Sequence, residues 1–360
     1  MSEIQQRKLH RTPGRAAVNN PHVRFDQMRT EMVDDGWDRD EELPVLRTEI
    51  RDEQARKVIS RNSSPDLSFD RSINPYRGCE HGCIYCFARP SHAFLGLSAG
   101  LDFETRLIAR PNAAAQLQKE LSHPKYQPKT IAIGTNTDPY QPIEKDRQIM
   151  REVLQVLAAF HHPVAIVTKG TLIERDIDIL APMAAKGLLR VGISVTTLDP
   201  KTSRAMEPRV PSPKARLRTI AKLSDAGIPV RAMVSPVVPA LTDHELEDIL
   251  TACQTAGAVA ASSIVLRLPR EVAGLFRDWV AETYPDRAAR IMNRVRELHG
   301  GKDYDPSFGT RMTGQGEWAA MMRQRFVLAT KKLGLDRSLP PLRTDLFARP
   351  AMVGDQLSLL

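Results

Sequence analysis

Cysteine is scarce in this chain, with only four in 360 residues, and a framework of disulfides is thereby excluded. Long apolar runs are missing as well: no stretch approaches the ~18 uninterrupted apolar residues that a helix needs to cross a bilayer. The opening MSEIQQRKLHRTPGRAAVNN lacks the apolar segment of a secretory signal. The expected location is the cytoplasm, where thiols stay reduced and clustered cysteines serve as ligands or catalytic groups. There is no acidic excess either. Against 43 Asp and Glu stand 51 Lys and Arg, a formal charge of +8, which suits a polyanionic partner without requiring one. Internal repeats and low-complexity tracts are also absent. What is present is 42% hydrophobic content, enough to bury the core of one large domain or two ordinary ones.

Residues 1–65 are rich in Arg, Asp, Glu and Gln with little apolar periodicity, and read as a charged extension, partly disordered at its start. From about residue 66 the pattern changes. Short apolar runs at 130–135, 164–169, 189–197, 229–238 and 262–268 alternate with segments of helical period at 112–122, 145–160, 172–186, 213–226 and 243–256. In DRQIMREVLQVLAAF, Ile149, Val153, Leu154, Leu157 and Phe160 recur at spacings of three and four and form one apolar stripe. Counting SINPYRG as a first strand, strand and helix alternate about six times, which implies parallel strands joined by right-handed crossovers. The strands are continuously apolar, as expected where both faces are covered. An α/β barrel or part of one fits best, with a doubly wound open sheet as the alternative. Asn136, Thr137, Asp138, Lys169, Ser194 and Thr196 then fall at strand carboxyl ends, the rim where such folds keep their sites. Residues 285–360 form a basic helical extension.

Three of the four cysteines, Cys79, Cys83 and Cys86, lie within YRGCEHGCIYCF, directly after the first expected strand. Structural zinc takes four ligands and would need His81 or His92 as the fourth. A 4Fe-4S cluster is usually held by four cysteines, and three would leave one iron open to a partner that is not protein. The fourth, Cys253, sits in an apolar helical pattern and reads as a buried, inert thiol.

This C-x3-C-x2-C run, with Tyr85 just before its last cysteine, resembles the signature of the radical S-adenosylmethionine (SAM) superfamily. The resemblance implies a partial (β/α)6 TIM-like barrel with N-terminal and C-terminal extensions. Residues 66–284 would be the core, and Cys79, Cys83 and Cys86 would hold a 4Fe-4S cluster whose open iron chelates SAM. One electron from an external reductant of flavodoxin or ferredoxin type then cleaves SAM to methionine and a 5'-deoxyadenosyl radical, which abstracts hydrogen from substrate. The longer stretch RSINPYRGCEHGCIYCFARPSHAFLGLSAGLDFET, with TNTDPYQPIE, VTKG and GISVTT, is similar to the branch containing spore photoproduct lyase and its uncharacterised bacterial relatives. By that resemblance Lys169 and Ser194 contact the methionyl part of SAM; Tyr85 of the signature, Thr137 at a strand end, and Glu207 and Arg209 after the fourth strand unit are further candidates for its surroundings. Spore photoproduct lyases carry a hydrogen-donating cysteine where this chain has Thr135. An O–H bond is far stronger than an S–H bond, so thymine-dimer reversal by that route is not expected.

Other readings stand beside these. His81, between the first two cysteines, either tunes the cluster or bonds the backbone. Asp138 and Glu144 flank DPYQPIE and hold a substrate cation or a cofactor hydroxyl, or else shape a turn. MEPRVPSP, with Glu207 and Arg209, reaches the cofactor or is a rigid linker. The basic carboxyl-terminal arm is a nucleic-acid face serving a nucleic-acid or nucleotide substrate, or a solvated surface; its aromatics Trp279, Tyr284, Tyr304, Phe308, Trp318 and Phe326 are scattered. A zinc-binding, non-enzymatic nucleic-acid-binding module would leave six βα units and a polar rim without a purpose. No second cysteine cluster exists for an auxiliary iron-sulfur centre.

Overall fold

The computed structural model describes residues 14–26 and 46–350. The expected disorder at the start of the chain falls on residues outside these. Among the described residues there are ten strands: β1 (Glu49–Asp52), β2 (Ile59–Arg61), β3 (Arg71–Ile73), β4 (Tyr76–Arg77), β5 (Arg106–Ala109), β6 (Ile131–Ile133), β7 (Val164–Thr168), β8 (Leu189–Ser194), β9 (Val230–Val237) and β10 (Ala260–Val265). The helices are α1 (Leu101–Thr105), α2 (Ala113–Ser122), α3 (Glu144–Arg147), α4 (Ile149–Ala159), α5 (Ile177–Ala185), α6 (Pro200–Met206), α7 (Pro213–Asp225), α8 (Leu246–Thr255), α9 (Glu271–Thr283), α10 (Ala288–Leu298) and α11 (Gly316–Leu333).

The larger sheet has the order β10-β9-β8-β7-β6-β3-β2. The six strands from β3 to β10 pair in parallel, and only β2 joins antiparallel at the edge. This is the partial (β/α)6 barrel that the alternation of segments predicts. Ile131, Ile133, Val164, Ile166, Leu189, Val191, Ile193, Val230, Ala232 and Val234 are all buried in it. Around it the expected stripe of α4 is buried, from Ile149 through Val153, Leu154 and Leu157 to Phe160.

Three local details differ from the sequence reading. The first strand breaks in two at Asn74-Pro75: β3 stays in the barrel, while β4 turns into a second, three-stranded sheet of order β1-β5-β4. Proline supplies no N–H for the ladder, and the Pro75 carbonyl accepts from Arg110 N instead. The helix expected over 145–160 is divided at Gln148, whose φ of 51° ends α3 before α4 begins. The charged extension also belongs partly to the body. β1 pairs with β5, β2 with β3, and Arg15, Ala16 and Ala17 are buried.

The carboxyl-terminal extension packs as helices. α10 buries Ile291, Met292, Val295 and Leu298, and α11 buries Trp318, Ala319 and Met322. Several of its arginines pair with neighbouring carboxylates: Arg296 with Asp303, Arg325 with Glu247 and Arg294 with Glu297. Beyond α11 the chain runs under the amino ends of the barrel strands. The Leu335 carbonyl accepts from Ala261 N, the Leu339 carbonyl from Arg190, Arg343 N donates to Gly187, and Ala348 N donates to Phe160. This belt meets β10, β8 and β7 in turn, and Phe347 packs on Phe160 and His162.

His162 is fully buried beneath the belt. Its Nδ1 lies 3.0 Å from the Pro163 carbonyl, which can only accept, so Nδ1 carries the hydrogen and Nε2 accepts from the Tyr126 hydroxyl at 2.8 Å. Burial holds this imidazole down to about 4. Its unfolded counterpart takes up a proton near pH 6.5, so stability is full above that pH and is lost as pH falls towards 4, by roughly 3 kcal/mol. Burial lowers His92 and His299 as well, in the same direction. A Tm measured between pH 7 and 4.5 should fall steadily, with a shallower slope in His162→Gln.

Candidate active site

The cysteine loop rises from the carboxyl end of the first strand unit, at the rim where the sequence placed it. Cys79 and Cys83 are buried and Cys86 is half-buried. Backbone bonds wind the loop tightly: Gly82 N donates to Cys79, Cys86 N to Cys83 and Arg89 N to Cys86. Two more tie it to its surroundings, from Cys79 N to Phe103 and from Ile84 N to Met206. Gly82 needs its φ of 64°, and a Cβ there would sit 2.7 Å from Glu104 Oε2. Inside the curve the guanidinium of Arg89 is fully buried and donates to four main-chain carbonyls, those of Gly82, Cys83, Ala99 and Gly100, at 2.9–3.0 Å.

Burial pushes all three thiols up from their ordinary range. They become thiolates when a metal's positive charge compensates them. Among the described residues, no group of three or more His, Cys, Asp or Glu side chains is disposed to hold a single metal ion. A cubane asks something different of its ligands, one thiolate on each of three irons, and three sulfurs on one short, largely buried loop fit that demand. Among the described residues neither histidine forms, with the cysteines or carboxylates, a group of three or more side chains disposed to hold a zinc ion. His92 Nε2 is 2.9 Å from the Arg106 carbonyl, and His81 lies with Nδ1 3.3 Å from Asp138 Oδ2.

Next to the loop, strand ends supply a polar network. Tyr85 turns its hydroxyl to Glu207, whose Oε1 also accepts from Thr196 at 2.9 Å and whose Oε2 accepts from Arg216 at 2.7 Å. Lys169, at the end of β7, donates to Ser194 at the end of β8 and to the Ser235 carbonyl of β9. Its Nζ is 3.7 Å from Glu207 Oε1 and 5.8 Å from the centre of the Tyr85 ring. Burial alone would raise the Glu207 carboxyl, but Arg216, Lys169 and the Tyr85 hydroxyl hold it at about 2. One anion therefore stands between two cations. Ser235, whose carbonyl receives Lys169 and Ser194, has a buried Oγ without a hydrogen-bond partner.

Local sequence explains how these groups arrive. Asp199 caps α6 by accepting from Lys201 N and Thr202 N, with Pro200 at the first helical position. Ser212 and Pro213 start α7 in the same way. Two short helices placed end to end carry Glu207 at the close of the first and Arg216 in the opening turn of the second. MEPRVPSP is thus a turn between helices whose Glu207 is fully buried. Arg209 crosses back to the cysteine loop, with Nη2 3.3 Å from Glu80 Oε1 and its amide donating to the His81 carbonyl.

The segment TNTDPYQPIE supports the loop from the other side. Gly134, at φ 91°, lets the chain leave β6 where a Cβ would meet the Val167 carbonyl at 1.9 Å. Thr137 donates to the Gly78 carbonyl at 2.6 Å and accepts from Gln141, whose Oε1 receives Glu80 N. Asp138 is not open to a substrate cation. Its oxygens accept from Tyr140 N, Thr168 Oγ1 and Lys169 N, which fixes the end of β7. Glu144 is likewise enclosed, accepting from Tyr76, Met150 N and Arg175. Thr135 directs its hydroxyl at Asn74 Oδ1, 3.5 Å away. Sequence reasoning missed Arg89, Glu104, Arg216 and Ser235; Arg89 and Glu104 lie within the quoted stretch 71–105, but nothing in it marks them, and their partners meet only in the folded chain.

A buried cysteine loop at the carboxyl-end rim of a parallel α/β barrel, beside a lysine and serine on adjacent strand ends, defines the class. The chain belongs to the radical SAM superfamily, whose family model matches residues 73–253. It is 36% identical over 283 residues to the uncharacterized protein Rv2578c of Mycobacterium tuberculosis, covering 78% of this chain and 79% of that one. It is 27% identical over 192 residues to the uncharacterized protein MJ0683 of Methanocaldococcus jannaschii, covering 53% and 69%. Among solved structures, spore photoproduct lyase complexed with dinucleoside spore photoproduct superposes with a TM-score of 0.57 at 15% identity, over 79% of each chain, a likeness of fold. Membership implies an enzyme that uses a 4Fe-4S cluster and SAM. Among the described residues no helix is long and apolar enough to cross a membrane.

Proposed function

We propose that Cys79, Cys83 and Cys86 hold one 4Fe-4S cluster and that the chain is a cytoplasmic enzyme acting on a nucleic acid or nucleotide, reduced by an external flavodoxin- or ferredoxin-type donor. When bound, the reduced cluster supplies the electron that splits SAM into methionine and a hydrogen-abstracting radical. The observation that carries the reading is the joining of the cysteine loop to the Lys169–Glu207–Arg216 group through Tyr85. Two cations around one carboxylate leave a net positive charge, which suits the carboxylate of an aminoacyl group. Ser194 and the unpartnered hydroxyl of Ser235 are neighbours for its ammonium. Thr137 and Arg209 act on the loop, the first through the Gly78 carbonyl and the second through Glu80. Tyr85 and Ile84 screen that side of the loop from water, both being buried.

The choice of substrate rests on the net charge of +8 and on the fold shared with a lyase solved in complex with a dinucleoside spore photoproduct. Repair of thymine dimers is not the reading favoured here, because Thr135 is a poor hydrogen donor to a carbon radical. The test is anaerobic purification with iron and sulfide analysis, then incubation with dithionite and SAM. About four irons per chain with release of 5'-deoxyadenosine supports the proposal, and zinc without cleavage refutes it. Oligonucleotides and nucleosides that accelerate release would identify the substrate class; acceleration by neither would remove that part.

A further inference from the structure

Between the buried arginine inside the cysteine loop and the amino-terminal part of the chain stands one carboxylate. Glu104, in α1, is fully buried. Its Oε1 accepts from Arg89 Nη2 at 2.6 Å and from Ala17 N at 3.0 Å, and its Oε2 accepts from Ala16 N at 3.2 Å. Arg15 continues the attachment by donating to the Glu104 carbonyl at 2.8 Å and to Thr48 Oγ1 at 3.0 Å, while Thr48 donates to Glu80 in the loop. Further along, the Asn19 carbonyl accepts from Leu101 N, the Pro21 carbonyl from Ser98, and Arg24 pairs with Glu271 of α9. Ala16 and Ala17 lie in the same apolar cluster as Cys83, Ile84 and Tyr85.

We infer that residues 15–24 form a strap that locks the cysteine loop around its metal, with Glu104 and Arg89 as positioning residues. The strap's amides fix the Glu104 carboxylate, the carboxylate orients the guanidinium, and the guanidinium holds the Gly82 and Cys83 carbonyls that set the loop's curve. Neither partner of this ion pair tolerates loss of the other, since each would remain charged and buried. The strap also places Ala16 and Ala17 in the apolar cluster that holds Cys83, Ile84 and Tyr85.

This rests on the cluster reading above, and its test separates the two. Ala17→Pro removes the Ala17 amide donor to Glu104 and restricts Ala16 before it, so it acts directly on the strap's hold on the carboxylate. Arg89→Lys keeps the charge but loses the fork that spans several carbonyls. Glu120→Gln is the control. Its carboxylate accepts from Val58 N and Ile59 N in another part of the same extension, away from the cysteines. The full-length proteins are reconstituted anaerobically, and three quantities are followed: iron per chain, the EPR spectrum of the reduced cluster, and the bleaching of its visible absorbance in air. The expected result is bleaching about ten-fold faster in Ala17→Pro and Arg89→Lys, the increase in loop opening that follows from losing one charge-assisted hydrogen bond. An altered EPR line shape should accompany it. In Glu120→Gln, Tm falls but bleaching and spectrum match the parent. Equal bleaching in all three variants and the parent, with iron bound normally, overturns the strap while leaving the cluster assignment intact. Faster bleaching in Glu120→Gln to the same degree would reduce the effect to general loosening and overturn it too. Absence of iron from the parent chain would instead refute the cluster assignment.

Discussion

Alanine at Cys79, Cys83 or Cys86 should strip the protein of iron, from about four atoms per chain to fewer than one, whereas Cys253→Ala should keep its full complement. The contrast follows from position. The three loop sulfurs share a single short segment at the barrel rim, and burial keeps them protonated unless a metal compensates their charge. Cys253 is enclosed in α8 within the barrel's hydrophobic core, where burial pushes its thiol up to about 12. Its replacement removes one sulfur from the core and costs about 1–2 kcal/mol of stability without touching the metal. Iron and acid-labile sulfide analysis of the four anaerobically purified variants decides the matter. Unchanged iron in every variant would end the assignment.

The second large effect concerns Glu207. Glu207→Gln should retain iron yet bind SAM at least ten-fold more weakly, because Tyr85 and Lys169 lose the carboxylate that positions them, and it should lower stability by about 3–5 kcal/mol, because Arg216 and Lys169 then face each other across a neutral amide. Lys169→Ala separates the two consequences: it leaves the Glu207–Arg216 pair whole, so Tm changes little, but it removes the cation nearest the cofactor's carboxylate. Calorimetric titration with SAM alongside thermal melts reads both. Undiminished SAM affinity in both variants would show that this group is structural only. A pH effect from Glu207 is confined to strong acid. With the carboxyl held at about 2 in the fold, its contribution is complete above the unfolded value near 4.5 and disappears as pH falls through 2.

Much of this was legible before any coordinates. Continuous apolar runs alternating with helical period announce a parallel barrel because covered strands must be apolar on both faces. The cysteine spacing points to the candidate site because one short loop can bring three thiolates to one place. Lys169 and Ser194 were accessible through the same logic, as polar residues ending apolar strands. What escaped were partners whose pairing depends on distance in space. Nothing in LDFET marks Glu104 as the acceptor of amides 87 and 88 positions earlier. Arg216 looks like any charged residue in an amphipathic helix until α6 and α7 are set end to end. The break at Asn74-Pro75 was visible as a proline, but its effect, a strand shared between two sheets, required the second sheet to be known.

The barrel is fastened at its two mouths by different stretches of polypeptide. Residues 335–349 gird the end where the strands begin, and residues 15–24 close over the end that carries the cysteines. These fastenings have no residue in common. On the strap reading, the stretch that guards the cysteines can therefore be altered without touching any residue of the belt at the opposite mouth.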